Sequence, residues 1–402
     1  MSAVIRQIRR FKRAGCLAVV ALLVALGGQY AVTAQNAAKG QGEIPTFQFD
    51  ATWPKPLPNN WNTGNIGAMV VDSKDHIWVA HRPATTTSLS ENYALTGDGD
   101  CCSPAPPILE FDQAGNLVQS WGPIHDKDGK LIGKQVWGPF PDIAWPLSEH
   151  GIFVDDTYVY VDSQTASSQL LKFTRDGKFV RRFGKDEAKS SNDPQNLAGP
   201  TQMFVDPKSN ELYVADGYRN RRIIVFDADT GAYKRHWGAY GHKPPDGPQG
   251  GTPIEGVYRP GMKSQNFATV HCAIQSKDGL IYVCDRVNDR IQVFKTDGTF
   301  VKEGWVGANA KGFGSVHGLG LSPDQRFLYV ADGANKKIWI VRRDDLKVLG
   351  SFSSGGRMGG QVMIAHTLAV DSKGNVYVGE TIDNDRVQRF KFTGMRSATS
   401  TH

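Results

Sequence analysis

Four of the chain's ten histidines occupy one place in a repeating pattern. Six short apolar stretches, IGAMVVD, EHGIFVD, PTQMFVD, VHCAIQS, VHGLGLS and AHTLAVD, align so that their second position reads Gly67, His150, Thr201, His271, His317 and His366. Neutral imidazole is a ligand for Zn, Fe, Cu or Ni, and a catalytic zinc site keeps three protein ligands and one open position. The competing reading is that a repeat inherits a structural histidine that hydrogen-bonds neighbouring backbone. A second set of residues follows the next strand of each repeat: Arg82 in VAHRP, Tyr218 in ADGYRN and Arg286 in CDRVN, with Gly333 and Asn335 at the related turn of the fifth repeat. Arginine fixes a carboxylate through paired hydrogen bonds, and a tyrosine beside a cation or metal can move a proton.

What would position these residues is a sixfold repeat. Its copies are DHIWVAHR…PPILEFDQAGNLV, TYVYVDSQTASSQLLKFTRDGKFV, NELYVADGYRNRRIIVFDADTGAYK, SKDGLIYVCDRVNDRIQVFKTDGTFV, RFLYVADGANKKIWIVRRDDLKVL and GNVYVGETIDNDRVQRFKF. Each alternates apolar and polar residues over short runs and is punctuated by Gly, Asp and Asn, which predicts four short strands per unit. Six such units predict an all-β, six-bladed β-propeller, and no helical period stands out. The first strand of each blade would line the axis, so equivalent positions would form a ring at one depth. The sixth unit ends near Phe392 without a fourth strand. TFQFDATWP, 46–54, is expected to supply it and to hide two sheet edges at once. Within the third turn, Asp216, Gly217 and Asn220 read as turn formers. Arg221 and Arg222 recur as DR or KK in other units, so at least one reads as scaffolding.

Residues 1–34 read as a signal peptide, with Arg6, Arg9, Arg10, Lys12 and Arg13 ahead of a short apolar core and small residues before Gln35. Residues 35–45 read as a leader, 46–393 as the propeller and 394–402 as a polar tail. The first 34 residues hold five of the 46 basic residues and no acidic one, leaving 41 basic against 40 acidic. That balance gives no reason to expect nucleic acid. No later apolar run is long enough to cross a membrane. The expected location is periplasmic or secreted.

Export permits disulfides, and Cys101, Cys102, Cys272 and Cys284 allow three pairings. A vicinal 101–102 bond with a cross-strand 272–284 bond is favoured over four free thiols. Residues 83–107 form a long polar loop directly after Arg82, readable as a lid or as a passive excursion. The aromatics from Trp137 to Trp145 read as pocket-mouth residues or as ordinary packing.

ADGYRNRRI, VH…VCDRVNDRIQVF, EHGI and VAHRP together resemble the peptidyl-α-hydroxyglycine α-amidating lyase family of NHL-repeat propellers, and the resemblance spans essentially all of 46–392. It implies a zinc lyase that splits an N-acyl α-hydroxyglycine into an amide and glyoxylate. It carries the zinc ligands onto His150, His271 and His366, an essential arginine onto Arg82, the base onto Tyr218 and a further arginine onto Arg286. It implies an axial calcium bound through the carbonyls of Met69 and Ile152, but the expected carboxylate after the third histidine is Thr367, which puts calcium in doubt. His317 has no counterpart and is left as a fourth ligand, a residue behind the ligands, or a structural one. The implied partner is a small molecule carrying a carboxylate. The alternatives are a metal-dependent lactonase or ester hydrolase, and a non-catalytic NHL binding propeller.

Overall fold

A computed structural model describes residues 42–86, 100–124, 145, 148–164, 169–246, 259–310 and 312–397. The expected signal peptide, the loop tip 87–99 and the aromatics from Trp137 to residue 144 lie outside the described residues.

Six four-stranded antiparallel sheets follow one another along the chain. Blade 1 is Ile66–Val71, Ile77–His81, Ile108–Phe111 and Leu117–Trp121; blade 2 is Glu149–Val154, Tyr158–Ser163, Leu170–Thr174 and Phe179–Phe183. Blade 3 is Pro200–Asp206, Glu211–Asp216, Arg222–Asp227 and Tyr233–Trp237; blade 4 is Val270–Gln275, Ile281–Asp285, Arg290–Phe294 and Phe300–Trp305. Blade 5 is Gly318–Leu321, Phe327–Asp332, Lys337–Arg342 and Val348–Phe352. Blade 6 takes Ala365–Val370, Val376–Glu380 and Val387–Ser397 from the end of the chain, with Glu43–Asp50 as its outer strand. The six first strands neighbour one another in a closed ring, the sixth against the first. Thr46–Thr393 is one compact unit, closed across its outer strands by a hydrogen bond of 2.9 Å between the hydroxyls of Thr46 and Thr393. The remainder, Met1–Pro45 and Gly394–His402, groups separately; its described residues are Gly42, the start of the outer strand and the end of the third strand of blade 6.

The cores lie between blades, as alternating strands with two apolar faces require. One core joins blades 1 and 2 around Trp78, Trp121 and Phe173, and another joins blades 3 and 4 around Tyr213, Trp237 and Phe294. Trp145 belongs to the first: its ring meets Trp121 at 6.2 Å and Phe173 at 5.5 Å. It is packing, not pocket mouth.

A staple fixes the turns above the disc in blades 3, 4 and 6. Asp216 ends the second strand of blade 3; its Oδ1 accepts from Ala198 N–H at 2.8 Å, and its Oδ2 accepts from Asn220 at 2.7 Å and Arg222 at 2.9 Å. Asp285 repeats this with Ala268, Asn288 and Arg290. Glu380 repeats it with Met363, Asn384 and Arg386. Blade 1 puts His81 in this position, accepting from Gly64 N–H and donating to the Pro106 carbonyl. A buried carboxylate bridging three donors holds the turn that carries the site residues in one conformation.

Both favoured disulfides are present. Cys272 and Cys284 are opposed in the blade 4 ladder with α-carbons 4.8 Å apart, within the usual bridging distance. They tie the strand of His271 to the strand that ends one residue before Arg286. The base of the long loop is stitched down where Ser103–Pro104 pairs with Trp61–Asn62.

Candidate active site around a histidine triad

The strand ladder is interrupted where the histidines sit. Pairing of the first two strands slips between Ile66 and Ala68, Glu149 and Ile152, Pro200 and Gln202, Val270 and Cys272, and Ala365 and Thr367. Each slip skips the ring position. A bulge of this kind re-aims a side chain, and here it turns the residue toward the axis.

Three of the four ring histidines come together. The ligand atoms of His150, His271 and His366 lie within 4.8 Å of one another and all three residues are buried. Their outer nitrogens follow an alternating rule around the ring. His150 of blade 2 donates from Nδ1 to the Thr201 carbonyl of blade 3 at 2.7 Å. His271 of blade 4 donates to the His317 carbonyl of blade 5 at 2.6 Å. His366 of blade 6 donates to the Gly67 carbonyl of blade 1 at 2.9 Å. Even blades give an imidazole, and odd blades give the carbonyl that orients it. Gly67 is required by a close approach: a Cβ there would stand 2.4 Å from the Glu149 carbonyl, to which Arg82 Nε also donates at 2.8 Å.

With the Nδ1 protons committed, all three Nε2 atoms are lone-pair acceptors aimed at one point. The hydroxyl of Tyr218 lies 3.0 Å from His150 Nε2 and 3.2 Å from His271 Nε2, and it has one proton to give. An acceptor-only cluster of this kind fits a divalent transition metal, and the carbonyl-to-Nδ1 contacts are the second layer such ligands use. Burial, with the neighbouring charges, holds His150 and His271 well below the usual imidazole range and His366 down to about 3. The rings are therefore neutral and ready to coordinate at ordinary pH.

Arg286 Nη1 faces the Tyr218 hydroxyl at 3.4 Å, and the Arg286 guanidinium lies over the Tyr218 ring at 5.5 Å. Arg82 is buried, and among the described residues its Nη2 has no partner, nor has Arg286 Nε. Two cationic groups with spare donors beside the triad can hold an anionic substrate group.

The structure separates His317 from the triad. Its ring centroid is 5.4 Å from that of His271 and 6.2 Å from that of His366, and its Nδ1 faces Gly333 N–H at 3.3 Å. Its part in the ring is its backbone carbonyl. Calcium does not fit. Among the described residues no carboxylate lines the axial cavity below the triad. The Thr367 hydroxyl accepts from Met69 N–H at 3.3 Å, and the Thr201 hydroxyl is bonded to the Ala215 and Val270 carbonyls. Met69 and Ile152 are buried, but a hard cation lacks charged oxygens in that cavity. A second His–carboxylate group, Asp72, His76 and Glu110, is closed by Arg175, which bonds both carboxylates.

Two buried carboxyls beside Arg82 escaped sequence reasoning. Glu149 Oε1 accepts from Trp145 Nε1 at 2.6 Å, and Asp162 Oδ1 accepts from Gly151 N–H at 2.7 Å, pinning the bulge after His150. Burial pushes each up to about 7. The available signal was a misplaced charge: the staple position of blade 2, opposite Glu149, is Ser163, and Asp162 stands one residue before it, where blades 3 and 4 carry Ala215 and Cys284.

A family description reading "Lactonase, 7-bladed beta-propeller" matches residues 155–394. Peptidyl-glycine alpha-amidating monooxygenase A of Xenopus laevis is 26% identical over 263 residues, which cover 64% of this chain and 24% of that protein. The chain thus spans about a quarter of that relative's length. The Rattus norvegicus peptidylglycine alpha-amidating monooxygenase is 30% identical over 159 residues, 38% of this chain and 14% of its own. NHL repeat-containing protein 3 of Homo sapiens is 24% identical over 356 residues, covering 86% of this chain and 84% of that protein. The solved structure titled "Streptogramin B lyase structure" superposes with a TM-score of 0.50 at 11% identity, over 88% of this chain and 99% of its own, and shares the fold. The family description spans more than half of the chain, so the chain belongs to the family of lactonase-type β-propellers, with six blades here, and its relatives set it among the NHL-repeat propellers.

Proposed function

We propose that the chain is an exported, metal-dependent lyase that cleaves the C–N bond of an N-acyl α-hydroxyglycine-type carbinolamide, releasing an amide and glyoxylate. The observation that carries this reading is the Tyr218 hydroxyl, 3.0 and 3.2 Å from two convergent Nε2 atoms and 3.4 Å from Arg286. His150, His271 and His366 would hold the metal, with zinc as the candidate. Bound there, a divalent ion supplies Lewis acidity toward the substrate hydroxyl.

The chain's own residues do the rest. Arg82 and Arg286 direct their spare N–H groups at the substrate carboxylate and fix the carbinol carbon beside the triad. Acting as the phenolate, Tyr218 takes the proton from the hydroxyl. As the C–O bond becomes a carbonyl, the C–N electron pair moves to nitrogen, which takes that proton back from Tyr218 and leaves as the amide, restoring the phenolate. The carbonyl carbon, still bearing its carboxylate, leaves as glyoxylate. The buried site keeps water from competing for the arginines. The disulfides and the relatives support export; among the described residues no helix is long and apolar enough to cross a membrane.

Glyoxylate release from α-hydroxyhippurate tests the reading, together with metal analysis of protein purified without chelator. About one transition metal per chain and glyoxylate formation are expected. Tyr218→Phe should keep the metal and lose roughly a hundredfold or more in kcat, the scale of one reaction-site donor or acid–base group. Full activity of that variant would remove Tyr218 from the mechanism. The family description favours a second reading, a metal-dependent lactonase or ester hydrolase. Hydrolysis of simple lactones with no glyoxylate from α-hydroxyhippurate would select it.

A further inference from the structure

Phe313 is a large apolar side chain left 41% exposed on the connection between blades 4 and 5. Its surroundings hold it in place. The ring packs on the buried His317 with centroids 4.9 Å apart, and the Arg286 guanidinium lies over it at 5.6 Å. Arg286 is thus flanked by Tyr218 on one side and Phe313 on the other. Gly314 has φ +82°, and a Cβ there would stand 2.2 Å from the Arg286 carbonyl, so only glycine lets this segment approach so closely. Ser315 N–H donates to Asp289 Oδ1 at 2.8 Å, and its hydroxyl donates to the Val306 carbonyl.

His317 serves as the floor of this arrangement. Its Nε2 has no hydrogen-bond partner among the described residues, so the ring contributes its faces more than its nitrogens. Blade 5 carries Gly333 where blade 4 carries Arg286, and a Cβ at 333 would stand 3.1 Å from His317 Cε1 and Nε2. Position 333 therefore places no side chain over His317. Two ring contacts, Phe313 on His317 and His317 on His271, link the exposed ring to the triad.

Resting on the lyase reading above, we propose that Phe313 is a specificity-determining residue for the acyl side of the substrate. With the carboxylate held by the arginines, the acyl group extends past Arg286 onto the free face of Phe313, and flat unsaturated acyl groups are preferred over small saturated ones. An aromatic acyl group gains offset or edge contacts with the ring and an electrostatic contact with the neighbouring guanidinium.

The test is calorimetric binding of benzoylglycine and acetylglycine to zinc-loaded protein, alongside turnover of the corresponding α-hydroxy compounds. The natural protein should bind benzoylglycine about tenfold more tightly or better. Phe313→Ala should bring the ratio close to one while leaving acetylglycine affinity unchanged. Phe313→Leu, which keeps apolar bulk without a flat face, should recover only part of the preference. An equal affinity for both compounds in the natural protein, or an undiminished preference in Phe313→Ala, overturns the proposal; glyoxylate formation from both substrates then leaves the lyase reading standing. A Phe313-dependent preference without glyoxylate formation upholds the subsite and overturns the lyase reading. Binding of neither compound overturns the subsite.

Discussion

Replacing His271 with alanine should abolish both metal retention and turnover, whereas replacing His317, its neighbour in the ring, should leave the metal in place. The two occupy the same position of successive repeats and are both buried. They differ in what each offers. His271 aims Nε2 into the cluster with its Nδ1 proton committed to a carbonyl. That carbonyl belongs to His317 and survives when the His317 side chain is removed. Losing a ligand should weaken binding by more than the roughly 10–100-fold that loss of an orienting partner produces. His317→Ala should instead lower stability by about 1–3 kcal/mol through the cavity it leaves. Metal content after dialysis against a weak chelator separates the cases. Loss of metal from His317→Ala with retention in His271→Ala would overturn the even-and-odd division of the ring.

That division shows where the sequence stopped being informative. The six-unit repeat, the ring position, the shared face of Arg82, Tyr218 and Arg286, and the closing strand from the N-terminus were all legible, because strand alternation and repeat alignment fix position. They do not fix orientation. Thr201, His317 and Gly67 act through backbone carbonyls, which any residue carries, so nothing in their side chains announces the role. The turn at Tyr218 shows the same limit. Arg222 is buried against Asp216 and the Ser191 carbonyl, Arg221 reaches the Phe267 carbonyl, and Arg219 bonds Glu187 and the Gln164 carbonyl. All three brace the turn, in line with the expectation that at least one of Arg221 and Arg222 would, and Arg219 joins them. Phe313 lies in a connection outside the repeat, where alignment gives no register.

The buried titratable groups carry a second large expectation: with its metal stripped by chelator, the protein should lose stability steeply on acidification from pH 6 to pH 5. Burial holds His81 down to about 4 and His366 to about 3, and holds His150, His271 and His317 well below 6.5. For such imidazoles the stabilising contribution is whole above the unfolded value of 6.5 and is lost as pH falls toward the folded one. Glu149 and Asp162, pushed up to about 7 by burial, act in the opposite sense. Their contribution is whole below the ordinary carboxylate range and is lost as pH rises through 7. Between pH 5 and 6, unfolding therefore lets the depressed imidazoles, the more numerous set, gain protons while the raised carboxyls lose theirs, a net uptake that makes stability fall on acidification by on the order of 1 kcal/mol per pH unit for each net proton. Near pH 7 the two sets offset each other and the profile should level. Asp162→Asn removes one opposing carboxyl while keeping an acceptor for Gly151 N–H, so its slope between pH 5 and 6 should be steeper by about 1.4 kcal/mol per unit. Urea denaturation at half-unit pH steps reads both slopes. A flat profile between pH 5 and 6.5 would mean that these imidazoles gain protons in the folded protein, and that the triad is wetter than its burial indicates.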